Sequence, residues 1–263
     1  MGIEAITLAL DGVIFDTEDA QLRACNAAFA GCGLDLQWSL PQLRAAARVW
    51  GAANVTTSLA ERMGLASSDA RVLRLAQEKN RHFHDIALAT QPLRSTGCAQ
   101  LMADALESGC KIAVVTDMPV QTATALLDRA FGNAVNNIFS VIVSGADFSA
   151  ADGNGPYALA LRTMGAEAGN CVAVDAAVPG LNAARQVGIW TMAVTPYEKD
   201  IARISAADIW CPQMQELRDM IERRNAPKAR PERFVTFDAL RAFKTGRNVM
   251  PVLSKPMPVH AAA

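Results

Sequence analysis

Three places in the chain put reactive side chains where an apolar run gives way to a turn. Asp11-Gly12 follows residues 6–10, Thr116-Asp117 follows residues 111–115, and Asp175 follows residues 171–174. A carboxylate so placed passes protons or holds a hard cation. Thr116 and Asp117 have the chemistry of a helix N-cap, which is also where an anion binds. Each place has a plainer reading: Asp11-Gly12 alone is an ordinary strand exit, Thr116-Asp117 a simple cap, and Asp175 a turn residue. His82, His84 and Asp85 are metal-ligating types, but residues two apart on a helix face different ways. Two separately packed or solvated histidines are expected there. Gly153-Asn154-Gly155 is expected to be a turn, not a phosphate-cradling loop. Trp38, Trp50, Trp190 and Trp210 are expected to pack, and Trp50 is the one also placed to line a cleft.

The elements that must position these residues follow from the apolar pattern. Short apolar runs ending near Gly or Asp alternate with helical patterns, which argues for a parallel α/β sheet. Expected strands are 6–10, 111–115, 139–143, 171–174 and 191–194, with 207–210 as a short edge strand. Expected helices between them are 98–107, 120–129, 156–164 and 181–186, and Pro156 and Pro179 suit helix openings. Roughly a hundred residues separate the first strand from the second, too many for a structureless loop. They carry helical periodicity and few β-branched residues, so four helices are expected, at 18–30, 40–47, 55–63 and 69–89. This is an inserted helical domain. Residues 235–243 repeat apolar side chains at helical spacing before Gly246, and Pro251, Pro256 and Pro258 then disfavour regular structure. A docked helix followed by an extended arm, over the core or a second subunit, is expected.

Length and charge narrow the classes. The chain has 263 residues, 51% hydrophobic, enough for one large domain with an insert. Its net charge is -1, so no global field recruits nucleic acid or an anionic membrane. From Arg223 onward, however, nine Lys/Arg face two acids, Glu232 and Asp238. Such a basic tail is either a partner-binding element or a solvated, self-docked one. Six scattered cysteines lack Cys-x-x-Cys spacing, and no apolar run is long enough to span a membrane. A reducing cytoplasm is the expected location.

The stretch Leu8-Ala9-Leu10-Asp11-Gly12-Val13-Ile14-Phe15-Asp16-Thr17 resembles the first motif of the haloacid dehalogenase (HAD) superfamily. That motif reads Asp-x-Asp-Gly-(Thr/Val)-(Leu/Ile)-x-Asp-(Ser/Thr) after an apolar strand. Every position matches except the first, the family's nucleophile, which here is Ala9. The helical insert falls where HAD subfamily I proteins carry a cap. Asn26 through Ala30, Gly33-Leu34-Asp35, Trp38, Cys171 through Asp175, Pro179-Gly180, Ala183-Ala184, Gly188 and Val194-Thr195-Pro196-Tyr197 are similar to the β-phosphoglucomutase and CbbY-type sugar-phosphate phosphatases. The resemblance covers roughly residues 1–215. It implies a Rossmann-like core from 1–16 and 96–225 and a helical cap over 17–95, leaving 226–263 as a basic tail.

In working relatives the first aspartate attacks phosphorus and the second, on the same strand face, is general acid and base. A Ser/Thr after the second strand and a Lys near the third hold phosphate, and a carboxylate pair after the fourth helps bind Mg²⁺. The resemblance implies that Asp11 is the general acid/base position, Thr116 with Asp117 the phosphate-holding turn, and Asp175 a surviving metal ligand. The lysine is missing from the stretch 151–157, the second acid is Ala176, and the mutase branch's cap histidine is Gln21. The cap loop Gly51-Ala52-Ala53-Asn54 offers no cation. Asp16, Gln21, Trp50, Asn54 and Ala176 are the expected cleft lining. Losing nucleophile, lysine and second acid together leaves a milder pocket than losing the lysine alone, which would leave carboxylates unbalanced. Ala9 could also be an engineered trap, though the further losses favour natural decay. Two functions are therefore expected to compete. One is a catalytically silent HAD relative that binds a small phosphorylated ligand or anion, a partner protein, or its own copy. The other is an Mg²⁺-dependent phosphatase of low or altered activity.

Overall fold

The computed structural model describes residues 2–51, 54–90, 93–94, 96–145, 155–194, 205–211 and 237–244. Strands β1 (Ala5–Ala9), β4 (Lys111–Thr116), β5 (Val141–Ser144), β6 (Cys171–Asp175), β7 (Trp190–Val194) and β8 (Ile209–Cys211) form one sheet in the order β5-β4-β1-β6-β7-β8. All its ladders are parallel. Every residue of β1 and β6 is buried, as expected of central parallel strands with helices on both faces. Alternation sorts the side chains. Ile6, Leu8, Ile112, Val114, Val172 and Val174 join one cluster, while Ala5, Ala113, Val115, Cys171 and Ala173 join the other.

The chain leaves β1 in one direction to β4 and β5, and in the other to β6, β7 and β8. That reversal makes a crevice at the carboxyl ends of β1, β4 and β6, where ligands of open α/β sheets bind. Ala9 pairs with Val115 in register, and Leu8 with Val174, so the ends of the three strands meet there.

Helices α1 (Glu18–Gly31), α2 (Leu40–Trp50), α3 (Thr56–Arg62) and α4 (Ala70–Thr90) fill the long insertion, close to the four expected spans. They share a cluster of Cys25, Phe29, Trp38, Leu43, Val55, Leu59 and Leu75. Trp38 packs edge-on to Phe29 at 5.1 Å. Asn26 serves both backbone groups of Trp38, donating to its carbonyl at 3.0 Å and accepting from its N–H at 2.7 Å. Ser39 and Gln42 form a capping box at the start of α2. The insertion joins the sheet through two short antiparallel strands, β2 (Phe15–Asp16) and β3 (Leu93–Arg94). Two residues are too few to show alternation, so the sequence does not reveal them.

The other layers are α5 (Thr96–Glu107), α6 (Val120–Phe131), α7 (Val135–Ile138), α8 (Pro156–Met164) and α9 (Val178–Gln186). Two strand edges differ from expectation. Phe139 is not in β5, because its N–H still bonds to Val135 at 2.9 Å and so closes α7. Asp208 stands before β8 because its carboxylate accepts from the Thr191 N–H and hydroxyl at 2.8 and 2.9 Å.

Of the basic tail, α10 (Phe237–Lys244) lies within the described residues. Phe237 and Leu240 are buried in the main cluster, and Lys244 Nζ donates to the Cys171 carbonyl at 3.0 Å. Cys171 begins β6, so α10 docks at the end of the sheet away from Ala9. The expected proline-bearing arm lies outside the described residues.

Candidate functional site

Ala9 closes β1 with a methyl group, 7% exposed. Asp11 follows in a tight turn, where the Gly12 N–H bonds to Phe15 O at 2.8 Å and Gly12 takes φ 73°. That positive φ favours glycine, and a Cβ on Gly12 would meet Ala176 Cβ at 2.8 Å. The turn and the start of the segment after β6 are therefore in close contact.

Asp11 Oδ1 accepts the Thr17 hydroxyl, while its Oδ2 is shielded from solvent with no partner among the described residues. Burial pushes the Asp11 carboxyl above its usual range, against the pull of Thr17, Lys79 and Gln21. Gln21, 2% exposed on α1, faces the Asp11 carboxyl as a hydrogen-bonding neighbour that pulls its pKa down, though short of full hydrogen-bond geometry. Asp16 is exposed. Its carboxylate accepts the Glu18 N–H at 3.1 Å and so caps the first turn of α1, which leaves it a through-space influence on Asp11.

Thr116 ends β4 opposite Ser144. Its hydroxyl oxygen accepts the Met118 N–H at 3.3 Å, and Ser144 Oγ donates to the Met118 carbonyl at 2.7 Å. The simple-cap reading fails, since Pro119 is the N-cap of α6. Asp117 turns toward the insertion. A Cβ on Gly51 would stand 2.3 Å from its Oδ2, and Asn54 Nδ2 lies 3.5 Å from the same oxygen. Gly51 has φ 78°, so this glycine is required by both space and backbone. Trp50 precedes it, half-buried at the end of α2. Ala52 and Ala53 lie outside the described residues.

Asp175 is 6% exposed and already committed. Its Oδ2 accepts the Tyr157 hydroxyl at 2.9 Å and its Oδ1 the Ala177 N–H at 2.8 Å. Gly180 backs onto it so closely that a Cβ would come within 1.8 Å of Oδ2. Burial, then Asp175, pushes the Tyr157 phenol well above its usual range. Ala176 supplies a methyl group beside this carboxylate. Mg²⁺ wants several hard oxygens in octahedral array. One carboxylate with both oxygens engaged does not fit it, and the described residues hold no cluster of three ligating side chains.

The sequence reading missed three participants. Thr17 and Tyr157 hold Asp11 and Asp175, and Lys79 supplies a cation that the cap loop lacks. Lys79 is wholly buried on α4, with Nζ 5.4 Å from the centre of the Phe83 ring. Burial pushes its ammonium down, and Cys25, Asp117 and Asp11 act against that. The signal was there: Val72, Leu75, Lys79, Phe83 and Ala87 form the buried stripe of α4, and a lysine within such a stripe must face a counter-charge or a ligand. His82 and His84 part company as expected. His82 lies 3.9 Å from Glu78, whereas His84 Nδ1 meets Thr122 Oγ1 of α6 at 3.1 Å.

A parallel sheet with its crevice under a helical insertion, and an Asp-Gly turn after the first strand, define the HAD-like α/β class. The sequence profile of the haloacid dehalogenase-like hydrolases matches residues 3–188, and the chain belongs to that family, in its CbbY-type branch. It is 30% identical over 200 residues to protein CbbY of Rhodobacter capsulatus, covering 75% of this chain and 87% of that one. A plasmid-borne protein CbbY of Cupriavidus necator is 32% identical over 204 residues, covering 74% and 78%. Among solved structures, CbbY of Rhodobacter sphaeroides in complex with phosphate superposes with a TM-score of 0.67 at 24% identity, over 81% of this chain and 95% of that one. β-Phosphoglucomutase of Clostridium difficile gives 0.61 at 18%, over 85% and 97%. These two likenesses establish the shared fold. Members of the family generally depend on Mg²⁺.

Proposed function

We propose that this chain is a HAD-fold protein that no longer transfers phosphoryl groups and acts by binding a small ligand between the sheet edge and the helical insertion, which serves as its cap. The observation that carries this reading is the pairing of Ala9 with a closed Asp175. The position of the attacking carboxylate is a methyl group, and the remaining metal-side carboxylate is held by Tyr157 and Ala177. Loss of one central group of a catalytic unit costs on the order of 10⁴-fold or more. The basic tail contributes a docked helix, and its excess of Lys and Arg supports a role in binding a partner protein or a second copy. Buried thiols at Cys25, Cys110 and Cys171, outside any disulfide among the described residues, suit a reducing compartment.

A second reading draws support from Asp11, which keeps its Thr17 bond and has a cation within reach in Lys79. On that reading Asp11 activates water and a weak phosphatase survives. Hydrolysis of p-nitrophenyl phosphate and of xylulose 1,5-bisphosphate, which a CbbY variant from Rhodobacter sphaeroides holds in its crystal structure, separates the two. The binding reading expects wild-type turnover with Mg²⁺ equal to that of Asp11→Asn. Turnover that copurifies with the chain and disappears in Asp11→Asn would establish the phosphatase.

A further inference from the structure

We infer that Asp117 is a positioning residue that clasps the helical insertion to the sheet edge, so that closing the crevice needs no ligand. Such a clasp is independent of which ligand the crevice takes. Among the described residues the insertion meets the core at two places. At its root, β2 and β3 tie it to the sheet, and Ala20, Ala24, Phe83 and Ala87 of α1 and α4 enter the main cluster. The hydrogen bond from His84 of α4 to Thr122 of α6, at 3.1 Å, belongs to this root. The second place is where α2 brings the chain back, lying against α9 and ending at Gly51. There the core offers Asp117, from the turn after β4.

Three parts of the insertion converge on this one carboxylate. Gly51, the C-cap of α2, is buried with φ 78°, and Asp117 Oδ2 fills the space that a Cβ there would take. Any other residue at 51 would strain the backbone and push the carboxylate away. Asn54, just before α3, donates from Nδ2 to the same oxygen at 3.5 Å. Lys79, wholly buried on α4, feels the Asp117 charge, which helps its ammonium resist the effect of burial. Contacts that one side chain makes to several elements are kept or lost together, which favours two discrete arrangements over gradual loosening. The outer part of the insertion has its own cluster of Cys25, Phe29, Trp38, Leu43, Val55 and Leu59. It can therefore swing on its root as a unit once the clasp lets go.

Labelling by iodoacetamide, a small neutral reagent, tests the clasp on the full chain. The reporter is Ala9→Cys, at the crevice floor where Ala9 is 7% exposed, and mass spectrometry reads each thiol separately. Ala9→Cys alone should label slowly. Adding Asp117→Ala should speed labelling at position 9 at least about tenfold, equivalent to about 1.4 kcal/mol of lost closure. Adding Gly51→Ala instead should do the same. It keeps the Asp117 charge but fills its seat, so an effect of that charge on the thiol is separated from opening. Cys98 and Cys110, both buried in the main cluster, should stay unlabelled throughout. The clasp is refuted if Ala9→Cys alone labels as fast as the chain unfolded in urea, or if either added substitution falls short of the tenfold gain. It is refuted too if Cys98 and Cys110 become labelled along with position 9, because the contact would then be general packing.

Discussion

Tyr157→Phe removes one oxygen atom and leaves the ring in place. That hydroxyl donates to Asp175 Oδ2 at 2.9 Å, and Tyr157 and Asp175 are 3% and 6% exposed. The Ala177 amide remains on Oδ1, so the carboxylate keeps one of these two partners. A hydrogen bond to a charged group contributes about 1.5–3 kcal/mol, and an orphaned buried acceptor adds its desolvation cost. The expected loss is therefore about 2 kcal/mol, which at ~2–4 °C per kcal/mol for a chain of this size lowers Tm by about 4–8 °C. Urea unfolding and calorimetry of both proteins at neutral pH read this directly. The phenol's own ionisation gives a second check. Its folded pKa is raised by burial and by Asp175, so its contribution is whole below the unfolded value of about 10 and fades as pH rises through the folded value. The advantage over phenylalanine should thus hold through neutral pH and shrink only in strong alkali. A variant within about 0.5 kcal/mol of wild type would refute the claim that Tyr157 holds Asp175 closed.

Other outcomes follow from the same geometry. Asp11 has a raised folded pKa, so its stabilising contribution is present below the unfolded value of about 3.9 and lost as pH rises through the folded value. The stability of Asp11→Asn relative to wild type, measured by denaturant unfolding, should therefore improve from about pH 4 toward pH 8; a flat or falling difference contradicts a desolvated Asp11. Gly180→Ala should destabilise by about 1–3 kcal/mol through overpacking, because its Cβ would fall 1.8 Å from Asp175 Oδ2; an ordinary helical site would gain about 1 kcal/mol from the same change, and thermal unfolding distinguishes the signs. Phe237→Ala, at 1% exposure, should cost about 3–5 kcal/mol in the same assay. It should leave binding at the cleft unchanged, because α10 docks at the opposite end of the sheet.

The fold was legible because its central strands are buried on both faces and end near Gly or Asp, and because the long insertion carries helical periodicity and few β-branched residues. Of the site, the sequence made legible where Ala9, Asp11, Thr116 and Ala176 lie, at or just beyond the ends of β1, β4 and β6; their roles stay part of the proposal. The site was obscure where function depends on what a side chain touches. Asp175 could be read as a turn residue or a metal ligand, and the Tyr157 and Ala177 contacts show it engaged by its own chain. Lys79 is hidden in the sequence because a cation one turn before Phe83 nears Asp11 and Asp117 only once α4 lies against α1 and α6. Asp16 carries a role the sequence does not single out, because its carboxylate accepts the Glu18 N–H at the start of α1. The expected lysine stretch at 151–154 and the residues Thr195-Pro196-Tyr197 lie outside the described residues.

The central claim is that several separate losses, and not Ala9 alone, have ended phosphoryl transfer. Restoring the carboxylate by Ala9→Asp and measuring Mg²⁺-dependent hydrolysis of phosphate esters tests it most directly. The expected result is no turnover above an Ala9→Asp/Asp11→Asn double variant, because Asp175 stays closed and Ala176 offers no second acid. Strong Mg²⁺-dependent turnover in Ala9→Asp that vanishes in the double variant would contradict the account, and would leave the chain one residue away from a working phosphatase.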